Sequence, residues 1–271
     1  MGGKELNALV TQRIEHAPGL VTLRVIPDGW ELPDFTPGQF TVLGLPASAP
    51  REPTSDPEPP PAKPDKMIVR AYSISSSSKS KEYLEFYISL VRSGELTPRI
   101  FNLTIGDRVY LSPKFRGFFT LENVPADKNV VLVATGTGLA PYMSMIRSEL
   151  NRESRRKFAV IHGAYHSWDL GYYRELAGLE RCSSNFTYFP IISEPQEEPG
   201  GWTGRAGFVQ KVWTGGELAE VWGKQPTPED TDVYLCGHPD MIEDFEKILQ
   251  AEGFTEHTRK QPGQYHLERY W

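Results

Sequence analysis

Four short segments hold the residue types that can do chemistry in this 271-residue chain. In Ala134-Thr135-Gly136-Thr137-Gly138-Leu139-Ala140-Pro141 an apolar run meets two glycines, and Pro141 suits the first turn of a helix. Glycines there let backbone amides approach a pyrophosphate, and the helix N-terminus adds partial positive charge. The same turn can also serve only to pack a strand against a helix. Tyr234-Leu235-Cys236-Gly237-His238-Pro239-Asp240-Met241 repeats the arrangement. It reads either as a thiol at a sheet edge beside a reacting carbon, or as a buried cysteine before a helix capped by Asp240. In Arg70-Ala71-Tyr72-Ser73, alternation along a strand puts Arg70 and Tyr72 on one face. An arginine there can pair with a diphosphate and a tyrosine can lie against an aromatic ring. Gly94-Glu95-Leu96-Thr97 follows, where turn amides and the Thr97 hydroxyl can hold the same diphosphate or simply close a hairpin.

These segments need scaffolds. The runs 20–26, 39–43, 68–74, 84–91 and 108–111 are short, often alternating, and separated by Pro, Gly and Asp, which predicts strands of a closed antiparallel barrel. From Val130 the rhythm changes: strands over 130–134, 158–162, 188–192 and 233–236 alternate with helices over 141–150, 170–179 and 241–252. Alternation of that kind predicts a parallel sheet, and Asn129 to Ala134 has the continuous apolar character of a strand buried on both faces. Eight prolines between Pro46 and Pro64, with almost no large apolar side chain, predict an exposed or disordered loop without a catalytic role.

Composition narrows the function. The net charge of −6 is uneven: residues 1–125 carry 14 basic and 14 acidic side chains, leaving 15 and 21 for the rest. No concentrated basic face for nucleic acid is expected. Two cysteines, Cys182 and Cys236, exclude a Cys-ligated iron-sulfur cluster within the chain, and no metal site is expected among the six histidines. No run approaches a membrane span and no leader precedes Leu6, so the expectation is a cytoplasmic protein off the membrane.

Taken in order, the segments resemble the ferredoxin-NADP reductase family, specifically its bacterial-type flavoproteins. The resemblance rests on Pro37-Gly38-Gln39-Phe40, Arg70 to Ser73, Leu96-Thr97-Pro98-Arg99, Thr135 to Pro141, Cys236-Gly237 and the terminal Tyr270-Trp271. It implies a Greek-key FAD-binding barrel over 1–125, with the Pro-rich insertion at 46–66, and a parallel-sheet NADP(H)- or NAD(H)-binding α/β domain over 126–271. Arg70 and Ala71 then lie along the FAD diphosphate, Tyr72 on the isoalloxazine or ribityl chain, and Ser73 near flavin N5. Ile88, Ser89, Leu90, Glu95, Leu96 and Thr97 line FAD, Thr137 touches the flavin side of the cleft, and Tyr270 and Trp271 close over the ring. Trp271 must yield for nicotinamide to enter, at ~1 kcal/mol of aromatic contact. Gly136, Gly138, Ala164, Tyr165, Ser193, Glu194, Arg205, Cys236 and Gly237 hold the coenzyme. Ser73, Cys236, Glu268 and Trp271 form the catalytic set.

The resemblance implies a monomer that moves electrons between NADP(H) and ferredoxin or flavodoxin. Basic residues Arg92, Arg99, Lys114 and Arg116 cluster near Thr97 and are expected to face an acidic partner. The coenzyme end departs from the family, where arginines commonly hold the extra phosphate: Tyr165 and Glu194 stand at two such places and only Arg205 matches. Glu194 would suit a free ribose hydroxyl, and so NADH, or would face solvent in a loop rich in Glu197 and Glu198. Two other readings stay open: an NADH-preferring reductase component of an oxygenase or other electron-transfer system, and a flavin-binding module without turnover.

Overall fold

The computed structural model describes residues 5–59 and 63–269; Tyr270 and Trp271 lie outside the described residues. The chain divides into two units, Met1–Thr120 with Ala140–Ser148, and Leu121–Leu139 with Glu149–Trp271.

In the first unit six strands, β1 (Ala8–Ala17), β2 (Leu20–Pro27), β3 (Phe40–Pro46), β4 (Met67–Ser73), β5 (Leu84–Ser89) and β6 (Arg108–Leu111), run in the order β4-β3-β6-β1-β2-β5, every pair antiparallel. The isolated bridge Ile74↔Phe86 joins the two edges and turns the sheet into a barrel. Inward-pointing Val21, Leu23, Val25, Leu43, Phe86 and Ile88 fill it at 2% exposure or less. Each such side chain contributes about 1.5–3 kcal/mol by leaving water. The helix α1 (Thr97–Phe101) adds Ile100 and Phe101 to the same core. Strand β1 has no counterpart among the runs read from sequence. Its pairing with β2 is interrupted between Val10 and Gln12 and again between Glu15 and Ala17, so its alternation breaks twice within ten residues.

The second unit holds β7 (Asn129–Thr135), β8 (Phe158–Ala164), β9 (Phe186–Ile192), β10 (Arg205–Ala206), β11 (Thr231–Cys236) and β12 (Tyr265–Glu268), all parallel in the order β10-β9-β8-β7-β11-β12. Around it lie α3 (Tyr173–Cys182), α4 (Gln210–Thr214), α5 (Glu217–Trp222) and α6 (Pro239–Ala251), whereas most of α2 (Ala140–Glu149) groups with the first unit. Strands β7, β8 and β9 advance in one direction and β11 lies on the other side of β7, so the strand order reverses between β7 and β11. In open α/β sheets ligands bind beyond the carboxyl ends of the strands at such a reversal. The cap of α6 is His238, whose ring nitrogen accepts from the Asp240 amide at 3.2 Å, rather than Asp240 as expected.

One buried group sets an acid limit on this unit. His162 on β8 is fully buried against the Tyr188 hydroxyl at 3.1 Å, and burial pushes its pKa down to about 3. The unfolded chain therefore binds a proton near pH 6.5 that the folded chain refuses until about pH 3. Stability is full above the unfolded value and falls with pH inside that window, by up to ~1.4 kcal/mol per pH unit. His162→Gln should flatten the decline in urea midpoint between these limits; an unchanged slope would assign the acid sensitivity elsewhere, for instance to His266, which burial also lowers.

Candidate functional site

Each unit presents one part of the candidate site. In the first, β4 and β5 are the barrel's edge strands, joined at Ile74↔Phe86. Extending that antiparallel register places Tyr72 opposite Ile88 and Arg70 opposite Leu90. No strand ladder joins these positions among the described residues, leaving an open seam in the wall. Ser73 is buried at the end of β4 and Ile88 belongs to the core, while Ser89 and Leu90 are half-buried with the Leu90 amide donating to Gly19 O at 2.8 Å. Tyr72 meets Phe86 edge-on at 6.5 Å, and burial pushes its phenol pKa upward, so the ring stays neutral. Ala71 is exposed.

Arg70 reaches across to the turn after β5. Its guanidinium is 2.5 Å from Glu95, an exposed pair worth at most about 1 kcal/mol that leaves most of the cation's donors available. Leu96 is buried, and the amides of Glu95, Leu96 and Thr97 meet no acceptor among the described residues. The Thr97 hydroxyl behaves differently from the expectation. It accepts from the Val91 amide at 3.0 Å and donates to the Val91 carbonyl at 3.1 Å, so it closes the turn and its proton is already used. Arg99 is a correction to the docking cluster: at 2% exposure it lies beneath the surface, bonded to Ala47 O, Glu95 O and Glu58. Arg92, Lys114 and Arg116 are exposed. The Pro-rich segment is exposed or half-buried from Pro50 to Pro59, as expected, but it is tied down, because Arg51 donates to the carbonyls of Asp56, Arg92 and Gly94.

The second unit brings its predicted residues to the carboxyl ends of β7, β8, β9 and β11. Gly138 and Gly237 are there for packing. A Cβ on Gly138 would stand 2.2 Å from Cys236 O, and one on Gly237 would stand 2.2 Å from Thr135 Oγ1. Gly136 differs: its φ of +54° is left-handed and a Cβ there would enter open space, so its backbone is open to a ligand. Thr137 beside it is half-buried. Cys236 is fully buried at the carboxyl end of β11, in register with Ala134 on β7 and with half-buried Glu268 on β12. Thr135, which the sequence places in the glycine motif without a role of its own, links the two loops: its Oγ1 accepts from the His238 amide at 2.8 Å. A hydroxyl at a strand end beside Gly136 was its only signal.

Farther along, the loops after β8 and β9 are tied together. The Ser193 amide donates to Ala164 O at 3.0 Å and the Glu194 amide to Tyr165 O at 2.9 Å. Tyr165 is 64% exposed and Glu194 half-buried, accepting from Gln196. Glu197 and Glu198 do more than face water: Glu197 accepts from His166 and Glu198 from Ser167, and the Glu197 and Asp169 bonds raise the His166 pKa. Arg205 on β10 lies over the Phe189 ring at 4.8 Å and is held 2.5 Å from Glu217. Among the described residues no group of three or more His, Cys, Asp or Glu gathers as a metal site, and no helix is long and apolar enough to cross a membrane.

A barrel with an open, arginine-lipped seam and a parallel sheet with glycine loops at its reversal point define a two-domain oxidoreductase that works with nucleotide cofactors. The family model for an oxidoreductase NAD-binding domain matches residues 132–247. The chain is 32% identical over 238 residues to a flavodoxin/ferredoxin–NADP reductase of Buchnera aphidicola subsp. Baizongia pistaciae and 31% identical to that of Escherichia coli, with 88% of each chain covered in both cases. It belongs to the flavodoxin/ferredoxin–NADP reductase family. Its fold matches that of a ferredoxin NADP+ reductase from Neisseria gonorrhoeae solved with bound FAD and NADP, at a TM-score of 0.79 and 24% identity over 98% of this chain and 99% of that one.

Proposed function

We propose that the chain is a monomeric, cytoplasmic FAD-dependent reductase that moves electrons between NADP(H) and ferredoxin or flavodoxin, with FAD on residues 1–125 and the coenzyme on 126–271. The observation that carries this reading is the seam: Arg70 stands at one lip and three unspent amides, Glu95 to Thr97, at the other, a cationic and donor-rich setting for a diphosphate beside an apolar wall for a ring. The relatives' names supply the acceptors.

Bound FAD would supply the redox chemistry, hydride acceptance from nicotinamide and single-electron release. The protein's own work is positional. Arg70 neutralises the diphosphate, exchanging part of its contact with Glu95, and Ala71 keeps that approach clear. The neutral Tyr72 ring lies along the flavin, Ser73 offers its hydroxyl near N5, and the Ile88–Leu90 edge and Leu96 complete the wall. The resemblance assigns Thr137, on the Gly136 loop, and Tyr270 and Trp271, which lie outside the described residues, to the flavin as well. Gly136 admits the coenzyme pyrophosphate, while Gly138 and Gly237 keep Cys236 and Glu268 in register for the nicotinamide. Arg92, Lys114 and Arg116 present charge to an acidic partner.

At the adenosine end Ala164, Tyr165, Ser193, Glu194 and Arg205 form the pocket, with Tyr165 placed to stack on adenine. A second reading, preference for NADH, is favoured by the half-buried Glu194 carboxylate and by the hold of Glu217 on Arg205. Steady-state reduction of a generic acceptor separates them. If Arg205 binds the phosphate, Arg205→Ala should raise the KM for NADPH roughly 10- to 100-fold, the worth of one charged hydrogen bond, and leave NADH alone. Equal losses with both coenzymes would make Arg205 a structural residue. Uptake of FAD, followed by its reduction with NADPH, tests the function as a whole.

A further inference from the structure

The Pro-rich segment 46–59 grips the very turn to which the flavin diphosphate is assigned. The Arg51 guanidinium donates to Gly94 O at 3.0 Å and Arg92 O at 3.2 Å, and is itself held by Glu58 at 2.8 Å and Asp56 O at 2.8 Å. Arg99, buried beside it, donates to Glu95 O at 2.6 Å and Ala47 O at 2.6 Å and shares Glu58. The bond from Arg99 holds the Glu58 carboxyl below the usual carboxylate range. Two backbone bonds complete the attachment, from Glu52 N to Pro98 O at 2.9 Å and from Asp56 N to Arg92 O at 3.1 Å.

The chemistry of the peptide bond gives this clamp a consequence. In a planar trans peptide the carbonyl of one residue and the amide of the next point in opposite directions. Fixing Gly94 O on Arg51 therefore aims the Glu95 amide away from the strap, and fixing Glu95 O on Arg99 aims the Leu96 amide the same way. Both amides are among the three that meet no acceptor among the described residues. Among the described residues Gly94 O is held by the strap alone, and Glu58 of the strap steadies the Arg99 that holds Glu95 O; the turn is otherwise closed at Val91, by Thr97 and the Gly94 amide, and at Leu96 O, which accepts from the Arg99 and Ile100 amides.

We propose that Arg51 and Glu58 are positioning residues for the flavin diphosphate: the strap locks the Gly94–Leu96 peptide planes so that two amides face the anion before it arrives. This rests on the FAD reading above. The strap touches none of the diphosphate itself; it acts through the carbonyls behind the amides.

The test is a fluorescence titration of apoprotein with FAD, for the native chain, Arg51→Ala and Glu58→Gln, beside apoprotein melting and the phosphorus-31 resonances of bound FAD. The expected result is a Kd about 10- to 100-fold higher in Arg51→Ala, the worth of one or two bonds to a charged group, with a smaller rise in Glu58→Gln. The diphosphate resonances should shift while the melting temperature of the apoprotein holds. Unchanged affinity and unchanged resonances in both variants would overturn the proposal. If melting also falls, unmoved resonances in the FAD still bound would reduce the strap to a structural tie and equally overturn it. A native chain that takes up no FAD would instead sink the underlying assignment, which this design keeps distinct.

Discussion

Gly138→Ala should retain FAD and be reduced by NADPH about 100-fold more slowly than the native protein. The added Cβ would lie 2.2 Å from Cys236 O, 2.5 Å from Cys236 C and 2.9 Å from Gly237 N. All three are backbone atoms at the end of β11, with no flexible side chain to swing aside. The Gly136–Leu139 loop must retreat by about 1 Å, and a displacement of that size near the reacting groups costs on the order of a hundredfold in rate. Overpacking of this kind also costs about 1–3 kcal/mol of stability, confined to the second unit. Stopped-flow reduction with flavin content measured in parallel is the check; a rate within threefold of native would show that the loop does not place the coenzyme. Gly136→Ala is the contrast. Its Cβ meets nothing within 4 Å, and the φ of +54° costs an alanine only about 1–2 kcal/mol, so a large kinetic loss there would report a ligand against the backbone rather than packing.

Glu85→Ala should be the most destabilising single change in the barrel. The carboxylate is 1% exposed and holds Arg24 at 2.6 Å on one oxygen and Arg147 at 2.6 Å on the other. Arg147, near the end of α2, also donates to Ser75 O at 2.9 Å, so this one side chain ties the helix to the barrel wall. Removing a single partner from a buried ion network strands the remaining charges and costs about 3–5 kcal/mol. That corresponds to a melting temperature roughly 10 °C lower, followed by flavin release and circular dichroism. Glu85→Gln, which keeps the shape and part of the hydrogen bonding, should lose less. A shift under a few degrees in Glu85→Ala would mean that water replaces the carboxylate at little cost.

The parallel sheet was legible because its strands are buried on both faces: Asn129 to Ala134 is one apolar run, and β7 through Ala134 is 9% exposed or less at every residue. Ala164, Tyr165, Ser193 and Glu194 were named only through the family resemblance; backbone bonds tie the two loops that carry them. The barrel was legible except where periodicity fails, at the twice-bulged β1. What could not be read were polar ties between distant segments. Arg99 is charged, and charge alone suggests a surface; its burial follows from acceptors contributed by Ala47, Glu58 and Glu95, up to 52 residues away. The Pro-rich segment lacks apolar anchors and so reads as loose, yet guanidinium-to-carbonyl bonds, which leave no periodic trace, hold it down. The glycines of the two loops divided for a related reason: a Gly-x-Gly turn says that a Cβ is excluded, and only the neighbouring atoms say whether a ligand or a strand excludes it.

Binding of FAD and its reduction by NADPH are checked together by anaerobic titration of the purified protein with FAD and then NADPH, with visible absorbance as the readout. One FAD should bind per chain, the oxidised flavin absorbance should be lost on adding one equivalent of NADPH, and it should return when oxidised ferredoxin or flavodoxin is supplied. A protein that takes up no FAD, or one whose bound flavin neither NADPH nor NADH reduces, would contradict the proposed function.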